Sequence, residues 1–214
     1  EAAPSLNIML QTYFDSVDAY ETIASLPVQG IGLDFVHGLD QNLRNIQTFG
    51  FPKDKVLGLG IIDGRNIWKA DLNKKKDIID IILEIVDTEN VWIQPSCSLL
   101  HVPITTNNEP SLDGILKNAL AFADEKLSEI QLLKNSYESN SNIVAERLEQ
   151  NGQDIHKLNM SPARNKSYVH AAMKTISNQD FKRNENFEQR KEIQQKYWQL
   201  PDYPTTTIGS FPQT

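Results

Sequence analysis

At 214 residues the chain is long enough for one fair-sized domain, or for one and a half small ones. With 39% hydrophobic and 23% charged residues it reads as an ordinary globular chain, and no apolar run approaches the ~20 residues that span a bilayer, so no membrane is expected as a partner. A net charge of −7 repels phosphate backbones and argues against nucleic acid, while a single cysteine, Cys97, excludes an internal disulfide framework and fits a reducing cytoplasm.

The opening EAAPSLNI has neither a basic n-region nor an apolar h-region, so no signal peptide is expected. LNIMLQTYF, residues 6–14, is short and apolar, as a buried parallel strand would be. SVDAYETIASLP follows with Val17, Tyr20, Ile23 and Ala24 at helical spacing and Ser16 as its expected N-cap. GIGLDFVHG (30–38) is the second strand. LDQNLRNIQTFGF is a helix with Leu39, Leu43 and Ile46 on one face, stopped by Gly50 and Pro52. KVLGLGIIDG (55–64) is the third strand; its glycines lie inside a strand and form no phosphate loop. LNKKKDIIDIILEIVD is the third helix, with an apolar face at Ile78, Ile81, Ile82 and Ile85, and VWIQPSCSLLHVP (91–103) opens with the fourth strand.

Strand and helix alternating over short connections mean βαβ units and a parallel sheet. An open doubly wound sheet and a closed barrel both satisfy that pattern, and the missing Gly-rich phosphate loop favours a (β/α)8 barrel. Such a barrel needs about 250 residues and eight strands, so four βα units are about half of one. From Ser111 the pattern becomes helical. Leu112, Leu116, Leu120, Ala123, Leu127 and Ile130 read as one long amphipathic helix, and SNSNIVAERLEQ as another. MSPARNKSYVHAAMKTIS has Pro162 at a helix-start position and Val169, Met173 and Ile176 on one face. FKRNENFEQRKEIQQKYWQLP reads as a charged, solvated helix ended by Pro201 and crossing between domains. The final PTTTIGSFPQT, with three threonines before Ile208, reads as the first strand of a further domain. The fold class is therefore α/β, about half a (β/α)8 barrel at 1–110, followed by an all-helical connector at 111–200 and the entrance to another domain at 201–214.

Chemistry in a barrel sits at the C-terminal strand ends. The residues there are Tyr13, Asp15, Asp34, His37, Asp63, Arg65, Asn66, Ser96, Cys97, Ser98 and His101. Asp15 reads as a cap for the following helix, and Asp63 with Arg65 as a turn and structural ion pair. Asp34 stands inside an apolar strand, where a buried carboxylate needs a partner. Cys97 and His101 offer only Cys-x-x-x-His, short of the three or four convergent ligands a metal needs. His156 and His170 read as helix-surface residues.

Five stretches in order, LQTYFDS, LPVQGIGLDFVHG, GIIDGRNIWKADL, PSCSLLHVP and PTTTIGSFPQT, resemble the cobalamin-independent methionine synthase family over nearly the whole chain. The resemblance implies two (β/α)8 barrels packed mouth to mouth, moving a methyl group from 5-methyltetrahydropteroyl-polyglutamate to homocysteine. A zinc ion in the C-terminal barrel would hold the homocysteine sulfur as a thiolate. By that resemblance the chain is the closing half of the N-terminal barrel, its connector, and the entrance to the catalytic barrel; the first half of the N-terminal barrel and the C-terminal barrel are its partners. Ile208, Gly209 and Ser210 match the segment that contacts the amino-acid end of homocysteine or methionine. If the two barrels are duplicates, PSCSLLH stands where the zinc barrel has its last cysteine and Asp34 near its glutamate. QTYFDS, however, offers no His-x-Cys pair, so no zinc is expected at Cys97, and the basic folate clamp falls outside the chain. The fragment is expected to be inactive alone. The alternatives are a non-catalytic scaffold that pairs through its open sheet edges, and a separate enzyme using Asp34, His37 and Asp63 as acid–base groups.

Overall fold

The four apolar runs pair side by side in chain order. In the computed structural model, which describes residues 6–139 and 141–205, β1 (Met9–Gln11), β2 (Gly30–Asp34), β3 (Val56–Ile62) and β4 (Val91–Pro95) form one parallel sheet of order β1-β2-β3-β4. The strands are shorter than their apolar runs because each run also supplies the loop that follows it. Helices α1 (Tyr20–Ala24), α2 (Leu39–Phe49) and α3 (Leu72–Leu83) connect them.

Strand periodicity gives the sheet two unlike faces. On one, Ile31, Leu33, Leu57, Leu59 and Ile61 are buried beside Ile46, Ile79 and Ile82 of the helices. The other face is built from Met9 and Gln11 of β1, Gly30 and Gly32 of β2, Gly58 and Gly60 of β3, and Gln94 of β4, as the strand register dictates. The glycines leave room for the long side chains of the outer strands. A methyl group at Gly32 would collide with the Gln11 amide, and one at Gly58 would press on the Gln94 amide at 3.0 Å. Over this floor Gln94 Nε2 donates to Gln11 Oε1 at 2.9 Å, although β2 and β3 lie between the two strands. Flat strands so separated would stand about 14 Å apart. Side chains rising from them meet only because the sheet curls toward its glycine face.

Several boundaries differ from the sequence reading, each for a local reason. Neither Ser16 nor Asp15 caps α1: the helix starts at Tyr20 after Ala19 without a side-chain cap, and Asp15 Oδ1 accepts from the Ser16 N–H instead. The core face of α3 is Leu72, Ile79 and Ile82, with Val86 beyond its end, while Ile85 is exposed and Ile81 half-buried. The expected long helix over Leu112–Ile130 is two, α4 (Gly114–Asn118) and α5 (Ala123–Glu138). It breaks because residues 119–121 pair with the strap at 67–69: Lys69 N–H donates to the Ala119 carbonyl and Ala121 N–H to that of Ile67. The buried face of α5 is consequently turned to Lys126, Glu129, Leu132 and Leu133, leaving Leu127 exposed. Helix α6 (Asn142–Met160) packs beside it and buries Asn151, Asp154 and Leu158.

The chain forms two compact units, Glu1–Arg164 and Asn165–Thr214. Within the second, α7 (Ser167–Thr175) starts after Lys166, so Pro162 lies in the preceding turn and not at its start. Val169 and Met173, with Ile176 at the helix end, are exposed. Helix α8 (Phe187–Trp198) opens with a reciprocal cap between Asn186 and Gln189 and ends at Gln199, in the left-handed conformation two residues before Pro201. It is exposed along its length, as its charge predicted.

Gly60 gives a direct test of the floor. A Cβ there would stand 2.7 Å from the Leu33 carbonyl oxygen and 3.0 Å from Ser96 Cα, both backbone atoms that cannot yield, whereas one at Gly114 meets nothing within 4 Å. Gly60→Ala is expected to cost about 1–3 kcal/mol in urea unfolding, and Gly114→Ala to be neutral or stabilising by about 0.5 kcal/mol.

Candidate functional site

All four strands point their C-terminal ends to one corner, and the ring of Phe14 occupies its centre. Phe14 follows β1 with φ +74°, a left-handed conformation that a phenylalanine adopts only under constraint. The constraint is Asp34, at the end of β2 and fully buried. Its Oδ2 accepts from the Phe14 N–H at 2.8 Å, and its Oδ1 from the N–H groups of Val36 at 2.7 Å and His37 at 2.8 Å. His37 Nδ1 lies 3.0 Å from Oδ2. An oxygen surrounded by donors accepts from Nδ1–H, which leaves Nε2 as the free position of the imidazole. Asn42 of α2 completes the frame, donating to the Asp34 carbonyl at 2.8 Å and accepting from the Val17 N–H at 3.0 Å.

Around the ring, Tyr13 stands edge-on at 4.9 Å and His37 at 6.0 Å between centroids, and His101 is tilted at 5.8 Å. The Arg65 guanidinium carbon lies 4.8 Å from the ring centre, a cation–π contact. Arg65 therefore does not form the expected ion pair with Asp63. Asp63 serves its own turn, accepting from the N–H groups of Arg65 at 2.8 Å and Asn66 at 3.2 Å.

Beside the ring a cleft of about 350 Å3 is lined by Gln11, Tyr13, Gln94, Cys97, Ser98 and His101, among others. Ser96 is buried and accepts from the Gly64 N–H, while Ser98 caps the turn at Leu99–His101 through the Leu100 N–H. Burial pushes the Cys97 thiol above its usual range, with Asp63 and Asp34 adding to the shift against Ser96 and Arg65. That disfavours the thiolate a metal or nucleophilic role needs. Among the described residues no group of three or more His, Cys, Asp or Glu side chains is placed to hold a metal ion, so the zinc implied by the resemblance finds no fitting ligand set in them.

Of the strand-end residues named from the sequence, Tyr13, Asp34, His37, Arg65, Cys97, Ser98 and His101 come together at this corner, while Asp15, Asp63, Asn66 and Ser96 are engaged in the loops that build it. The sequence reading missed Phe14, whose role depends on a backbone conformation that no local pattern announces, and the Gln11–Gln94 pair, which only sheet register joins. His156 is exposed on α6 and His170 on α7, the latter bonded to Asn165. Ile208, Gly209 and Ser210 lie outside the described residues.

The chemistry left free is modest. The carboxylates of Asp34 and Asp63 are spent on backbone N–H groups and on the side chains of His37 and Asn66; His37 Nε2, His101 and the Tyr13 hydroxyl remain. The corner is polar and lacks the pair of free carboxylates that acid–base chemistry by Asp34 and Asp63 would need.

Comparison with known proteins decides the lineage. Residues 1–87 match the family model described as cobalamin-independent synthase, N-terminal domain. A 5-methyltetrahydropteroyltriglutamate–homocysteine methyltransferase of Bacillus subtilis is 49% identical over 98% of this chain. The chain belongs to the cobalamin-independent methionine synthase family. Relatives of the same name from Halalkalibacterium halodurans and Lactiplantibacillus plantarum are 48% and 46% identical over 100% of it. The chain spans 28% of the length of each of these relatives.

Asp34 is the testable keystone of the corner. Asp34→Ala leaves three backbone donors unpaired and is expected to cost about 3 kcal/mol or more in urea unfolding. Asp34→Asn, which turns one acceptor into a donor facing an N–H, recovers only part of that loss.

Proposed function

We propose that these residues are a segment of a cobalamin-independent methionine synthase, an S-methyltransferase that carries a methyl group from 5-methyltetrahydropteroyl-polyglutamate to homocysteine. The observation that carries this reading is 49% identity, over 98% of the chain, to a relative named for that reaction. The four βα units at 1–110 make the second half of the N-terminal (β/α)8 barrel; 111–200 close it and link it onward; 201–214 enter the catalytic barrel. The curl of the sheet and its two unpaired edges, β1 and β4 among the described residues, support the barrel reading. The first half of that barrel and the C-terminal barrel are its partners. Zinc belongs to residues outside this segment, which is inactive alone. The biosynthetic role fits a cytoplasmic protein, and among the described residues no helix is long and apolar enough to cross a membrane.

Ile208, Gly209 and Ser210 take the amino-acid end of homocysteine in this reading, the serine hydroxyl and backbone N–H groups binding its carboxylate. A scaffold without catalysis is favoured by the same open edges, and one assay separates the two. The intact protein that carries these residues should form methionine from both substrates, and Ser210→Ala should raise KM for homocysteine about tenfold, the loss of one charge-assisted hydrogen bond. No methionine from the intact, zinc-loaded protein would leave the scaffold as the function.

A further inference from the structure

Helix α5 buries two opposite charges three residues apart, and they do not bond to each other. Lys126 is fully buried, and its Nζ donates to the Trp68 carbonyl at 3.2 Å. Glu129 is 6% exposed; its Oε1 accepts from the Ala70 N–H at 3.0 Å, and its Oε2 is buried with no partner. Both side chains thus grip the strap at 67–70, which leads from Arg65 and Asn66 at the strand-end corner into α3. Positions three apart on a helix face the same way, so the Lys126 ammonium is within side-chain reach of that free oxygen.

We propose that Lys126 and Glu129 form a proton-operated latch on this strap. With Glu129 neutral, Lys126 holds the Trp68 carbonyl. When Glu129 releases its proton to solvent, the carboxylate draws the Lys126 ammonium onto Oε2, and the Trp68 carbonyl loses its donor. The strap then loosens where it delivers Arg65 to the Phe14 ring. This inference stands apart from the methyl-transfer reading and fails or holds on its own.

The surroundings keep the switch near neutrality. Burial raises the Glu129 carboxyl to about 7, against the opposing pull of Lys126, the Ala70 N–H and Lys69, and with a push from Glu125. Burial lowers the Lys126 ammonium, while Glu129, Asp63 and Cys97 favour its charge. The other charged neighbours are mostly engaged. Lys69 of the strap is paired with Asp154 of α6 at 2.7 Å, and Glu125 accepts from Thr105, Thr106 and Phe122. Lys75 of α3 is pushed down by burial, with Asp63, Asp34, Asp71 and Glu129 opposing. Arg147 of α6 lines the adjacent cleft of about 330 Å3 with Glu129 and Asp154. A carboxyl whose folded value exceeds its ordinary 4.5 binds its proton more tightly in the folded chain. Stability from this group is therefore present below that ordinary value and falls as pH rises from it through about 7.

The test is fluorine NMR of the intact protein with a ring fluorine on Trp68, titrated with acid and base. The Trp68 resonance is expected to shift with a midpoint within about one unit of 7, and to stay flat across that range in Glu129→Gln. Hydrogen exchange of the peptide covering residues 66–72, corrected for intrinsic rates, should be faster above the midpoint than below it in the unmodified protein alone. A Trp68 resonance and a strap exchange rate that do not change around neutral pH in the unmodified protein, or the same midpoint in a folded Glu129→Gln variant, would overturn the latch.

Discussion

The glycine floor is the constraint on which the other features rest. Because β2 and β3 carry no side chains at Gly32 and Gly58, the Gln11 and Gln94 amides lie over the sheet and meet across it. Larger residues there would lift the amides off the backbone and hold the outer strands apart. With the sheet curled, four strand ends that would fan out in a flat sheet converge on one ring. Tyr13, His37, Arg65 and His101 come from four different loops, and all contact Phe14.

That convergence fixes which polar groups are available. Asp34 reads in the sequence as a buried carboxylate in need of a partner, and its four hydrogen-bond donors make it the brace of the corner. Its work is geometric: it holds a left-handed phenylalanine and sets which imidazole nitrogen of His37 faces outward. Burying a carboxylate costs several kcal/mol unless every lone pair is served, and here the loops on both sides serve it. The contrast with Glu129 is instructive. That carboxyl is also buried but has one oxygen without a partner, so its charge is carried at a cost and its proton is held more tightly.

The order of strands and helices was legible because parallel strands buried on both sides read as apolar runs, and short loops between them force βα units. Leu39, Leu43 and Ile46 announce α2 by spacing alone. The misreadings arose where a distant segment overrode a local pattern. Leu112 to Ile130 has helical spacing throughout, but pairing of 119–121 with the strap breaks it, and the break rotates the buried face of α5. Phe122, Lys126, Glu129 and Leu133 share that face at spacings of four, three and four. A stripe drawn through apolar residues alone passes over two buried charges. The corner was half legible: residue types at strand ends pointed to it, whereas the Phe14 backbone and the Arg65 stacking depend on packing that no spacing reveals.

A curled four-stranded sheet whose two edges are unpaired among the described residues is an arc, and the proposed function completes it with strands from elsewhere in the protein. The most direct measurement is hydrogen exchange of the backbone amides of β1 and β4 in the intact protein, read residue by residue. The account predicts that the amides on the outer side of both strands are protected as strongly as those facing β2 and β3, because further strands cover them. Outer amides that exchange at the rate of exposed loops would contradict it and leave the sheet as an open scaffold.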